Sequence, residues 1–264
     1  MTELQHLQKV ILYIAKDIDR LCRENGIEYY LLGGSCIGAI RHKGFIPWDD
    51  DMDIIMTRPN YDKFLKVVRT KLDPDKYFVQ EGLKDWPLNF SKIRLKGTTL
   101  HEPEDEYASP EMHGIYLDVF CLDNVPDSNL IARVQYMLAK YDLCYQLSQR
   151  KYKSASLSKK LMIALSFPLR IRKIRSCLMK WINSFNQQDT KRIGFLYGRT
   201  RFRNAIMPRS IYGCPKYVEF EDTSLPVPEH YHEYLTRMFG NYMQLPPVSD
   251  RQGLHLLSVD FGKY

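Results

Sequence analysis

Asp49-Asp50-Asp51-Met52-Asp53 places four carboxylates in five residues. If DMDIIM (51–56) is a strand, Asp51 and Asp53 leave the same face, which Asp49 shares and Asp50 does not. Carboxylates that close repel one another unless a cation sits between them. A hard ion that prefers oxygen ligands, Mg²⁺ or Mn²⁺, meets that need. A solvated acidic turn has the same composition, but Ile54-Ile55-Met56 follows directly, so these acids lead into a buried strand. Asp118 lies within Gly114-Ile-Tyr-Leu-Asp-Val-Phe, an apolar strand pattern. An aspartate there is costly unless backbone donors, a partner or a metal satisfy it. Asp51, Asp53 and Asp118 on neighbouring strands would hold one or two metal ions for in-line phosphoryl transfer, which makes them the candidate catalytic and metal-ligating residues.

Groups suited to phosphate lie nearby. Gly33-Gly34-Ser35 follows a strand pattern and precedes a short helix pattern. It is either a tight turn or a place where backbone approaches phosphate, with Gly34 and Ser35 as the contacts. Arg41, His42 and Lys43 are three potentially cationic side chains beside that turn, either phosphate ligands or a solvated helix end. Lys92 and Arg94, two apart on a strand, share a face and could both reach phosphate, or could mark a charged sheet edge. Trp48 beside the acids is either packing or a cation–π cover for a trimethylammonium group. His113 and His255 carry no assignment.

Positioning these groups calls for alternating helices and strands. Leu4, Leu7, Ile11, Ile14, Ile18, Leu21 and Cys22 recur at helical spacing over 3–25, after a Thr2 cap and before Gly26. Strands are predicted at 27–32, 51–56, 77–80, 88–95, 114–122 and 216–220. Helices are predicted at 36–42, 59–72, 128–149, 157–186 (interrupted at Pro168) and 229–239. HEPEDEYASPEMH (101–113) is predicted to be a loop. This order indicates an α/β or α+β sheet domain covering 1–264, with a helical, basic insertion at 128–190.

The 264 residues carry 38 basic and 31 acidic side chains, a net charge of +7. Between Leu143 and Gln188 stand ten basic residues and no acid, so everything else sums to −3. The excess is local and does not argue for general nucleic-acid binding. Within Arg150–Trp181 the basic residues flank an apolar run of about nine residues, too short to span a bilayer. The stretch fits either peripheral contact with an anionic membrane or a packed hairpin with a solvated basic face. The six cysteines show no C-x-x-C pair and are expected to be reduced thiols. The N-terminal stretch reads as a helix of the mature protein, and the expected location is cytoplasmic, peripheral at the inner membrane face if the basic stretch docks.

The run Gly33-Gly34-Ser35, then Gly38-Ala-Ile-Arg-His-Lys-Gly-Phe-Ile-Pro-Trp-Asp-Asp-Asp-Met-Asp-Ile54, resembles the signature of the LicD family, relatives of the fukutin-type phosphotransferases. The resemblance extends to Lys92-Ile93-Arg94, to the Asp118 strand through Leu122-Asp123, and to Leu225-Pro-Val-Pro228 and Tyr242-Met-Gln-Leu-Pro-Pro247. It implies a nucleotidyltransferase-like mixed sheet flanked by helices. In that fold a Gly-Ser turn holds nucleotide phosphate, and an Asp-x-Asp strand with a third strand aspartate binds Mg²⁺. The implied reaction moves a phospho-alcohol, such as phosphocholine, from a CDP-linked donor to a hydroxyl of a glycan or lipid-linked glycan in cell-surface polysaccharide synthesis. Lys92-Ile-Arg-Leu-Lys96 departs from relatives that carry an acid after the arginine. The alternative on the same fold moves NMP from NTP to a small molecule. An RNA-binding module fits less well, because the acids cluster where an active site is expected and the basic residues lie elsewhere.

Overall fold

The computed structural model describes residues 1–101, 110–149, 157–251 and 258–264. Helix α1 (Glu3–Glu24) opens with a capping box in which Thr2 and Gln5 satisfy each other's backbone N–H. Its apolar face, from Leu7 to Cys22, is buried. The helix closes at Gly26, whose φ of +56° lets Ile27 N–H return to Cys22 O. Strand β1 is only Tyr30–Leu31, shorter than the predicted 27–32. Helix α2 (Gly33–Ile37) begins three residues before the predicted 36–42 and runs into a π-helical turn, Gly38–His42. Gly33-Gly34-Ser35 is therefore its first turn, with the corner made by Gly33 at φ +54°.

Strand β2 (Asp53–Thr57) starts two residues later than predicted and leads into α3 (Arg58–Lys71). Next come β3 (Tyr77–Gln80), β4 (Ser91–Leu95), β5 (Thr99–His101) and the ten-residue β6 (Tyr116–Val125). A helical layer follows: α4 (Asn129–Gln149), α5 (Leu157–Leu165), a 3₁₀ turn at Phe167–Arg170 where Pro168 interrupts the predicted helix, and α6 (Arg172–Asn183). The chain continues through β7 (Arg192–Gly194), α7 (Phe202–Ala205), β8 (Ile206–Pro208) and α8 (Arg209–Tyr212). It ends with β9 (Lys216–Phe220), β10 (Thr223–Val227), α9 (Tyr231–Phe239) and β11 (Ser258–Asp260).

The main sheet runs β1-β2-β6-β4-β3, with β7 on the far end of β6 and β8 on β7. Only β2 and β6 are parallel; the other pairs in this sheet are antiparallel, so it is a mixed sheet. β6 is long enough to pair β2 and β4 along its first seven residues and β7 along its last three. β9 and β10 form a separate hairpin, and β11 pairs with β5. The main core packs α1, α3 and α9 against this sheet. A second apolar cluster, including Val125, Ala132, Ala139 and Ile182, lies under α4 and α6. There Gln135 donates to the carbonyls of Asn124 and Ile182, and Arg175 pairs with the fully buried Asp142 at 2.7 Å. The six cysteines are free thiols. Among the described residues, no helix is long and apolar enough to cross a membrane.

Candidate active site

The sheet register sets the site. Asp53 on β2 lies directly opposite Asp118 on β6, and Asp118 lies opposite Lys92 on β4. Residues paired in this way share a face, so two acids and one cation form a row across three adjacent strands. Lys92 Nζ is 3.0 Å from Asp118 Oδ1 and 3.3 Å from Oδ2. Both side chains are nearly enclosed, at 5% and 11% exposure. The ammonium also lies 3.3 Å from the centroid of Tyr116, with Trp86 and Phe90 further out.

Asp51 precedes the first ladder residue of β2 and is held by the loop that carries the acids. Gln8 on α1 donates to the carbonyls of Ile46 and Asp49, and Asp118 N–H donates to Met52 O. Strand alternation does not govern an unpaired segment. This corrects the expectation for Asp50: it is buried, and Asp49, Asp50 and Asp51 each bring a carboxylate oxygen within 4.8 Å of the others. The expected set of Asp51, Asp53 and Asp118 is not that tight group; Asp53 and Asp118 stand beside it, on the sheet. The acids act on one another across this gap. Burial, then Asp51 and Asp118, push Asp53 well above the usual carboxylate range, and Lys92 works against the shift. Burial, then Asp51 and Asp50, raise Asp49 to about 8. A partly buried all-oxygen set whose members resist shared ionisation fits a hard divalent cation, and Asp49, Asp50, Asp51, Asp53 and Asp118 are the residues that could hold one.

The glycine turn is built into the same site. Ser35 Oγ accepts the Asp53 N–H at 2.9 Å, Leu32 N–H donates to Asp53 O, and Gly33 N–H donates to Tyr234 Oη. A Cβ on Gly34 would lie 2.7 Å from Asp49 Oδ2. The close approach that requires glycine here is therefore to Asp49.

The three cations after the turn do not act together. Arg41 donates to His42 Nε2 and to the Tyr242 carbonyl, and burial lowers its pKa. The His42 ring stands edge-on to Trp48, with burial and Arg41 lowering its pKa. Arg251, which the sequence did not single out, lies over the Trp48 ring, 5.5 Å from its centroid. Lys43, at φ +56°, instead sends its ammonium to Glu219 on β9 at 2.9 Å. Trp48 is partly buried against the main core.

Lys92 and Arg94 do share a face, but neither lies on an exposed sheet edge, because β4 sits between β6 and β3 and is buried throughout. Arg94 donates to Gln80 Oε1 and to the Gly114 carbonyl and is only 2% exposed. It braces the sheet behind Lys92. A cavity of about 900 Å³ is lined by α1 residues together with Phe45, Pro47, Glu221 and Asp222. None of the five acids lines it.

Three relatives bear on this geometry. Residues 26–105 match the family described as LicD/FKTN/FKRP, nucleotidyltransferase domain. The chain is 30% identical over 263 residues to the lipopolysaccharide cholinephosphotransferase LicD of Haemophilus influenzae, covering 96% of each chain. An uncharacterized protein of Rickettsia prowazekii and one of Rickettsia typhi are each 46% identical over 41 residues, 16% of this chain and 15% and 13% of theirs. The near-complete match to the Haemophilus protein makes this chain a member of the LicD family and a transferase of phosphate-containing groups.

Proposed function

We propose that the protein is a metal-dependent phosphotransferase. It moves a phospho-alcohol, phosphocholine or a close analogue, from a CDP-linked donor to a hydroxyl of a glycan or lipid-linked glycan of the cell surface. The observation that carries this reading is the gathering of Asp49, Asp50, Asp51, Asp53 and Asp118 at one end of the parallel β2–β6 pair. The Haemophilus relative, a lipopolysaccharide cholinephosphotransferase by name, supports both the transferred group and a glycan acceptor.

Asp51, Asp53 and Asp118, with Asp49 and Asp50 alongside, would hold Mg²⁺ or Mn²⁺. The ion would offset charge on the donor diphosphate and on the departing CMP. In the transfer, the acceptor oxygen bonds to the phosphorus that bears the alcohol, and the bond from that phosphorus to the CMP oxygen breaks. The hydroxyl proton passes to a neighbouring carboxylate, for which Asp118 is the candidate. The Lys92 ammonium holds Asp118 in place and keeps one positive charge on the sheet side of the site. Arg41 and Arg251, grouped with the neutral His42 around Trp48, are further cations that would meet donor phosphate. The expected setting is the cytoplasm, at the inner face of the membrane that carries a lipid-linked acceptor.

The test is incubation with a panel of CDP-alcohols and Mg²⁺, scored for CMP. Release of CMP that Asp53→Asn abolishes supports the reading. Pyrophosphate release from an NTP, with no CMP from any CDP-alcohol, would replace it with nucleotidyl transfer.

A further inference from the structure

The helical layer uses one side of α6 to build the second core and leaves the other side apolar. Ile182 is buried beneath α6 and Leu178 packs against that cluster, while Arg175 reaches inward to Asp142. On the outside, Ile171, Ile174 and Trp181 are all exposed. With Cys177 they form a stripe at helical spacing. Helix α5 adds a second exposed ridge of Leu161, Met162 and Leu165. The turn between the helices is pinned by buried Ser166 and Leu169, which leaves Phe167 64% exposed. Seven large apolar side chains within 21 residues thus face outward, each more than a third exposed. Single exposed apolar residues are ordinary, but seven of them on two consecutive helices and the turn between mark a contact surface.

The charges around it select the partner. Lys160, Arg170, Arg172, Lys173 and Lys180 are exposed among these apolar residues, and no acid occurs between Leu143 and Gln188. A second copy on this face would bring like charges together. RNA would find phosphate partners, but the ridge offers it mainly leucine, isoleucine and methionine, which have no ring to stack a base. An apolar ridge flanked by cations suits a lipid–water interface, where the apolar side chains enter the acyl boundary and the cations meet anionic headgroups. We propose that the α5–turn–α6 segment docks the protein on an anionic membrane surface. This refines the 150–181 stretch singled out in the sequence to the described residues 160–181; residues 150–156 lie outside the description. The biological use of the contact rests on the lipid-linked acceptor proposed above, but the contact itself is measurable without any donor.

The experiment is co-sedimentation of the full chain with vesicles of phosphatidylcholine alone or mixed with phosphatidylglycerol, at low and high salt. The protein should pellet with the anionic vesicles at low salt, release at high salt, and stay in solution with phosphatidylcholine. Removing a surface cation should weaken binding about fivefold, so Arg172→Glu with Lys173→Glu should weaken it by about 25-fold or more. Ile171→Ser with Ile174→Ser should weaken it about tenfold at unchanged charge. All four positions are exposed, so the fold should survive, which circular dichroism checks. The docking proposal is overturned if wild type fails to pellet with anionic vesicles, if the isoleucine variant binds as wild type does, or if single-stranded RNA binds as tightly as the vesicles. A dimer that Ile171→Ser with Ile174→Ser splits would overturn it too. Asp53→Asn should pellet like wild type, so loss of transfer and loss of docking are read separately.

Discussion

Replacing Lys92 by Met keeps an unbranched apolar stem but removes the ammonium, which lies 3.0 Å from Asp118 and 3.3 Å from the Tyr116 ring centroid. Taking one partner from a buried ion pair costs about 3–5 kcal/mol when the remaining charge stays ionised. A carboxyl has an escape, since it can take up a proton. For an ordinary aspartate of pKa about 3.9, neutralisation costs about 4 kcal/mol at pH 7 and about 1.5 kcal/mol at pH 5. The loss in metal-free protein should therefore be 3–4 kcal/mol at pH 7, shrinking as pH falls to 5. In a chain of this size that is a fall in Tm of roughly 10 °C at neutral pH and a few degrees at pH 5. The assay is thermal unfolding in EDTA at both pH values, then with Mg²⁺ added. A cation held by the same acids should restore much of the difference. A variant as stable as wild type in EDTA at pH 7 would show that the ammonium and the acid row do not depend on each other.

Three further outcomes are expected. The folded-state pKa of Asp49 is raised to about 8 and that of Asp53 is also raised, so both groups contribute stability at low pH that is lost as pH rises. Metal-free protein should therefore lose stability between about pH 4 and pH 8, by linkage from the ordinary carboxylate value up to the raised one. Thermal scans across that range in EDTA, repeated with Mg²⁺, should show the slope flatten when a cation is present. Gly34→Val places a side chain against Asp49 Oδ2 and should abolish transfer by displacing that acid while the fold persists; unchanged CMP release would rule out a role for this packing. Arg175→Met strips the buried Asp142 of its guanidinium and should cost about 3 kcal/mol, seen as earlier urea unfolding of the helical layer by hydrogen exchange.

Local patterns determine much of this protein. Thr2 and Gln5 close a cap three residues apart, the α1 face repeats at the helical period, and the β3 and β9 boundaries, 77–80 and 216–220, match the predicted strands. Five strands, β5, β7, β8, β10 and β11, escaped the sequence reading. Four of them have only three residues, and each exists because a partner strand meets it, a partnership no local pattern encodes. The acids themselves were legible, since a charge run that enters an apolar strand is anomalous on its own terms. Their arrangement was not. Asp50 joins Asp49 and Asp51 because that segment is shaped by Gln8 and Met52 contacts and not by a strand's alternation. Lys92 and Arg94 share a face in any register. Only the pairing of β4 with β6 sets Lys92 opposite Asp118, and only the strand order buries Arg94 against Gln80 and Gly114. Spacing along a chain determines which side chains can point the same way; which charges then meet depends on strand order and register, because electrostatic interactions act through space and a fold brings together residues that are distant in sequence.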